Sequence, residues 1–162
     1  MSGSLLRYYR DKTMEGQDLD IYVLRDDFEK IKHKLIDEGF LIKQVFFMPT
    51  SDISEYKFLY KNCEVDIFLV DYEKKEYSHR FTMETKDSHD IKRKLVGNTQ
   101  KTYGKDLVSF KRTLHYFKDI TEYEYNNTKF KGPKKIEESI FDIYGKNWTF
   151  YDPTYDPRVD PS

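Results

Sequence analysis

Cysteine is nearly missing from this chain. Cys63 is the sole one in 162 residues, which excludes an intrachain disulfide and a zinc site built from several thiolates. Histidine is scarce as well: there are four, scattered, with no His-x-x-x-His spacing. An excess of charge of either sign is absent. Lys+Arg number 28 against 29 Asp+Glu, for a net charge of −1, which argues against a nucleic-acid binder held by bulk charge. No apolar run reaches transmembrane length and no signal peptide is visible. These absences lead us to expect a soluble cytoplasmic protein with no membrane span in this chain, unless a lost N-terminal segment carried an anchor. No internal repeat divides the sequence, and its length is that of one domain.

Aromatic side chains are plentiful. They make up 17% of the chain, with Tyr 14 and Phe 12, beside 35% charged residues. Rings of this number supply much of a modest core and leave tyrosines for the rim of a pocket.

The most informative feature is a pair of aspartates at the head of an apolar run, Asp18-Leu19-Asp20-Ile21-Tyr22-Val23-Leu24. In a strand, alternate side chains share a face. Both carboxylates then point one way, while Leu19, Ile21 and Val23 point the other. Like charges on one face repel, and a hard divalent cation such as Mg²⁺ relieves the repulsion. The plainer alternative is an exposed strand with solubilising acids. Upstream, Gly3-Ser4 opens a short helix through Arg10. Free backbone N–H groups there suit a phosphate, and Ser4 adds a hydroxyl or an N-cap. The same stretch also reads as a flexible lead-in to the chain. Downstream, Val65-Asp66-Ile67-Phe68-Leu69-Val70 is a second apolar run with one embedded acid, Asp66, ended by Asp71. An aspartate between apolar neighbours is costly to bury unpaired, and a metal or a hydroxyl beside it offsets that cost.

Gly-Ser, a short helix, Asp-x-Asp on one strand and a lone Asp on a later strand form an ordered set. The set resembles the active-site pattern of the nucleotidyltransferase (DNA polymerase β-like) superfamily. Within it the chain looks like the LicD/fukutin branch. Gly3-Ser4-Leu5-Leu6-Arg7-Tyr8-Tyr9-Arg10 is similar to that family's opening motif. Asp18-Leu19-Asp20-Ile21 resembles its Asp-x-Asp strand, and Val65-Asp66-Ile67-Phe68 its later strand. Gly132-Pro133, Ile136 to Ile140 and Tyr144-Gly145-Lys146-Asn147-Trp148 resemble its closing helix and Tyr-Gly-x-x-Trp element. Two departures stand out. The loop Met14-Glu15-Gly16-Gln17 is short and lacks the family's Pro-Trp, and the chain starts almost on the Gly-Ser pair. It therefore reads as a minimal version or as one with a truncated N-terminus.

The resemblance implies a transferase that moves a phospho-alcohol, of phosphocholine or ribitol-phosphate type, from a CDP-linked donor to a sugar hydroxyl of a glycan. In that reading Asp18 and Asp20 hold Mg²⁺ or Mn²⁺. Asp66 completes the metal site or takes the acceptor's proton. Gly3 and Ser4 cradle the phosphate, and Arg10, with Arg7 a poorer candidate, neutralises charge on the diphosphate. Two rivals stay open: a transferase of a nucleotide monophosphate to a small molecule or protein, and a degenerate, non-catalytic binding domain. Trp148 is read mainly as a packing anchor, otherwise as a cover over the ligand. Lys131, Lys134 and Lys135 read as a solvated run. His79 and His115 have no partner that lifts them above surface or core status.

The expected architecture is α+β, a nucleotidyltransferase-like mixed sheet with helices mainly on one face, as a single domain over 1–150. A proline-punctuated extended tail follows over 151–162. The pattern predicts a strand at 18–24. A helix follows, N-capped by Asp26 or Asp27, presenting Phe28, Ile31, Leu35 and Ile36 and stopped at Gly39. Next come a strand over Leu41–Met48, a turn at 49–52, and a hairpin pairing 56–60 with 65–70 across Lys61-Asn62. Residues 72–118 read as short strands and loops. A hairpin over 121–130 and a helix from about Lys135 to Tyr144, stopped by Gly145, complete the pattern.

Overall fold

The computed structural model describes residues 2–14, 18–48, 50–84, 99–103, 107–144 and 148–150. The Glu15-Gly16-Gln17 loop, Pro49 of the expected turn, the Gly145 helix stop and the 151–162 tail lie outside the described residues.

Alternation sets the core. Strand β1 (Asp18–Leu24) pairs parallel with β4 (Cys63–Glu73). β3 (Ile53–Tyr60) joins β4 antiparallel, and β2 (Leu41–Phe47) joins β3. Val65, Ile67 and Leu69 of β4, with Tyr56 and Phe58 of β3, meet Phe28 of helix α2 (Arg25–Asp37). Leu19, Ile21 and Val23 of β1 pack against the same cluster. Each fully buried side chain of this size contributes about 1.5–3 kcal/mol. Asp18, Asp20 and Asp66 are thereby turned to the opposite face.

Helix α2 departs from the expected pattern at both its start and its face. It begins at Arg25 with no side-chain cap, and Asp26 and Asp27 fall in its first turn, where carboxylates meet the positive end of the helix. Arg25 donates from Nε to Asp71 Oδ1 at 2.6 Å and from Nη1 to the Ile53 carbonyl at 2.7 Å. Asp71 therefore anchors the helix instead of ending its strand, and β4 runs on to Glu73. Phe28 is fully buried and Leu35 packs on the core, but Ile31 and Ile36 are each 41% exposed. Lys32 takes part of the sheet-facing stripe, its ammonium 5.7 Å from the Tyr56 ring centroid. The helix ends as expected. Gly39 has φ +95°, its N–H donates to Ile36 and that of Phe40 to Leu35; this left-handed closure favours glycine.

Among the described residues three tight turns carry consecutive positive φ values: Lys61-Asn62, Lys74-Lys75 and Asn126-Asn127. This geometry fits the right-handed twist of the flanking strands. The second turn links β4 to β5 (Glu76–Glu84), which continues through β7 (Leu107–Thr113) to β6 (Thr99–Tyr103). Among the described residues the large sheet is thus seven-stranded, in the order β2-β3-β4-β5-β7-β6 with β1 on β4. A separate hairpin joins β8 (Ile120–Tyr125) to β9 (Thr128–Pro133). The architecture is α+β with mostly antiparallel strands.

The helices do not gather on one face. α1 (Ser2–Leu6) runs into a π-helical turn, Arg7–Asp11, closed by Lys12 at φ 57°. Leu5 of α1 forms a second cluster with Ile136 and Ile140 of α3 (Ile136–Tyr144). Tyr8 meets Tyr123 and Phe130 of the hairpin edge-on, at 5.8 and 5.1 Å between centroids. This aromatic clamp fixes α1, and Gly3 on it donates its N–H to Asp20 on the acidic face of the sheet. Among the described residues no helix is long and apolar enough to cross a membrane.

Candidate metal centre

Register builds the site. In the parallel β1–β4 pair, Asp18 lies beside Glu64 and Asp20 beside Asp66. Paired residues of neighbouring strands share a face. Asp18, Asp20 and Asp66 each offer an oxygen within 4.8 Å of the others. All three acids singled out in the sequence are therefore brought together.

Each acid is held differently. Asp20 Oδ2 accepts the Gly3 N–H at 3.1 Å. The side chain of Asp18 is 45% exposed, and its Oδ1 lies 3.7 Å from Arg7 Nη2. Asp66 is buried, at 7% exposure. Its Oδ2 sits 3.1 Å from Lys57 Nζ, while its Oδ1 is buried with no hydrogen-bond partner. Burial pushes the Asp66 carboxyl above its ordinary pKa, Lys57 opposes the shift, and the charges of Asp20 and Asp18 add to it.

The glycine and serine of the opening motif are at the site, though not as expected. Gly3 gives its N–H to Asp20 Oδ2 and not to a phosphate, and a Cβ on it would lie in ordinary contact with the same oxygen, at 3.5 Å. Ser4 lies inside α1 and is not an N-cap; its Oγ is buried without a partner. The arginine brought to the carboxylates is Arg7, which also donates to the Asp18 carbonyl at 3.5 Å. Arg10 donates to both Asp11 oxygens, at 2.7 and 2.8 Å, and toward the Trp148 carbonyl at 3.4 Å. Trp148 packs on Tyr9 at 5.8 Å and joins the α1–α3 cluster, a packing role.

Sequence reading missed two residues on β3. Lys57 lies opposite Asp66. Glu55, two residues earlier, shares its face, and its carboxyl is pushed up to about 7, first by burial and then by the charges of Asp66 and Asp20, against Lys57. The signal was the alternation Glu55-Tyr56-Lys57-Phe58 beside an acid-bearing partner strand.

Beyond the acids on the same face lies an aromatic block. Tyr22 stacks on Phe68 at 5.1 Å, and His79 meets both rings edge-on. His79 Nδ1–H donates to the Leu69 carbonyl at 2.9 Å. It is a satisfied core histidine, its pKa pushed down to about 4 chiefly by burial, with that carbonyl opposing. The folded state thus binds the proton more weakly than the unfolded chain, near 6.5. His79 contributes stability fully above about pH 6.5 and loses it as pH falls toward 4, by up to about 3 kcal/mol. Glu55 has the opposite sign: its contribution is full below its ordinary pKa and is lost as pH rises through about 7. Urea unfolding at pH 7.5 and 4.5 is expected to show only a shallow change for the wild type. His79→Gln is expected to gain about 2–3 kcal/mol relative to wild type on acidification. An unchanged difference between the two proteins would refute this account of His79.

The donors are hard carboxylate oxygens, and Asp66 Oδ1 is buried without a hydrogen-bond partner. Such a set could hold a hard divalent cation and does not suit a thiophilic metal. Compared with family models, curated proteins and solved structures, the chain matches none.

Proposed function

We propose that this chain is a divalent-cation-dependent transferase of the nucleotidyltransferase type. The reaction moves a phospho-alcohol from a CDP-linked donor to a sugar hydroxyl of a glycan. One observation carries the cation-site reading: Asp18, Asp20 and Asp66 converge across a parallel strand pair, and the buried Asp66 Oδ1 has no partner. An unpaired buried carboxylate oxygen is costly unless a cation or proton donor meets it. The choice of donor and acceptor rests on the LicD/fukutin-like motifs of the sequence, from Gly3-Ser4 to Trp148.

In this reading Asp18, Asp20 and Asp66 hold the ion, and the Gly3 N–H fixes the carboxylate of Asp20. Mg²⁺ or Mn²⁺, when bound, neutralises the donor diphosphate. Arg7, beside Asp18, supplies a guanidinium for phosphate oxygens. The acceptor oxygen bonds to phosphorus as the bond to CMP breaks, and the hydroxyl proton passes to a carboxylate of the cluster. The protein's contribution is positioning and charge.

The test combines binding with product analysis. Calorimetry with CDP and Mg²⁺, against adenine and uracil nucleotides, is expected to show metal-dependent CDP binding that Asp18→Ala/Asp20→Ala abolishes. CDP-choline or CDP-ribitol is then expected to yield CMP. Transfer of AMP with release of pyrophosphate would replace this reading with nucleotidyl transfer. Absence of nucleotide binding by the folded wild type would leave a non-catalytic domain.

A further inference from the structure

Lys57 has no place in the proposed reaction, yet it is the cation closest to the buried member of the cluster. It sits on β3 directly opposite Asp66. Its Nζ is 3.1 Å from Asp66 Oδ2 and 3.3 Å from Glu64 Oε2. Lys43 of β2 already pairs with Glu64, so the charge of Lys57 falls chiefly on Asp66. Its side chain is only 22% exposed, which limits screening by water and salt. Arg7 stands at the other end, beside Asp18. Asp66 and Asp18 thus each carry a resident positive partner.

We propose that Lys57 is a built-in competitor for the cation, so that the ion binds chiefly together with an anionic nucleotide. The inference rests on the reading of Asp18, Asp20 and Asp66 as cation ligands. An ion held by Asp66 Oδ1 would share that carboxylate with the ammonium on Oδ2. At a separation of roughly 6 Å a double charge repels a single one enough to weaken binding about tenfold, even in a water-like dielectric. A diphosphate reverses the sign. It attracts both the ion and the ammonium, so nucleotide and metal raise each other's affinity by the same factor. A site without Lys57 would hold the bare ion and gain less from the nucleotide.

Titration of Mn²⁺, followed by loss of the free-ion electron paramagnetic resonance signal, separates these cases. Wild type, Lys57→Met, Lys57→Gln and Lys57→Arg are compared with and without CDP, after circular dichroism confirms folding. Lys57→Gln keeps a hydrogen-bond donor for Asp66 and drops the charge, which isolates charge from orientation. Both neutral variants are expected to bind bare Mn²⁺ about tenfold more tightly than wild type, and their gain from CDP is expected to shrink by a similar factor. Lys57→Arg is expected to follow wild type. Equal or weaker binding of bare Mn²⁺ by folded Lys57→Gln, while wild type binds Mn²⁺ with CDP, would overturn the inference and leave the metal reading intact. Failure of every protein to bind Mn²⁺, with or without CDP, would overturn the metal reading itself.

Discussion

Asp20→Asn is expected to lose the stabilisation that Mn²⁺ gives the wild type. Asp20 faces Asp66 across the parallel pair and accepts the Gly3 N–H. Its charge helps push the Asp66 carboxyl above its ordinary pKa. Asparagine keeps an acceptor for Gly3 and removes the charge that a divalent cation would draw on. Wild type at a hundredfold excess of Mn²⁺ over its Kd gains about 2.7 kcal/mol, a gain the variant should lack. Scanning calorimetry in EDTA and in Mn²⁺ reads the difference. Equal melting shifts with Mn²⁺ for the two proteins would exclude Asp20 as a ligand.

Phe28→Ala is expected to have the largest effect on stability, about 3–5 kcal/mol. Phe28 is the only fully buried side chain of α2, tilted on Tyr56 at 4.8 Å and edge-on to Phe58 at 6.3 Å between centroids. Its neighbours Ile31 and Ile36 are too exposed to take over its contacts. A domain of this size holds about 5–15 kcal/mol in total, so the variant is left marginal. Urea unfolding measures the loss, with Phe28→Leu expected to cost markedly less. A loss under about 1 kcal/mol would mean that the core closes around the cavity, contrary to the packing described.

The parts of this fold that strict alternation dictates were legible in the sequence. Asp18 and Asp20 against Leu19, Ile21 and Val23 gave β1 and its two faces, and Lys61-Asn62 and Gly39 marked a turn and a helix end that the structure contains. The turn at Lys74-Lys75 escaped notice because neither residue is a usual left-handed former, so its geometry comes from the pairing of β4 with β5. The face of α2 was misjudged because the aliphatic stem and ammonium of Lys32 cover an aromatic ring as an apolar residue would. At the site, the three aspartates announced themselves by their apolar neighbours. Lys57 and Glu55 did not, since a charged residue on a strand reads as solvated until its partner strand is known. The order of Arg7 and Arg10 turned on the π-helical turn, whose rotation a helical period of 3.6 residues does not anticipate.

The parallel junction of β1 and β4 also bears on the order in which the molecule assembles. The β3–β4 hairpin closes across two residues, whereas Asp20 and Asp66 meet only when a long intervening chain, α2 and two strands included, has already found its place. Such distant pairings form late, because the entropy of closing the loop must be met first. The carboxylates therefore stay apart through most of folding, and their mutual repulsion arises with the finished sheet. An ion that needs all of them has little to grip in the folding transition state. It would leave the folding rate almost unchanged and slow unfolding instead, making the ligand a latch on the completed fold.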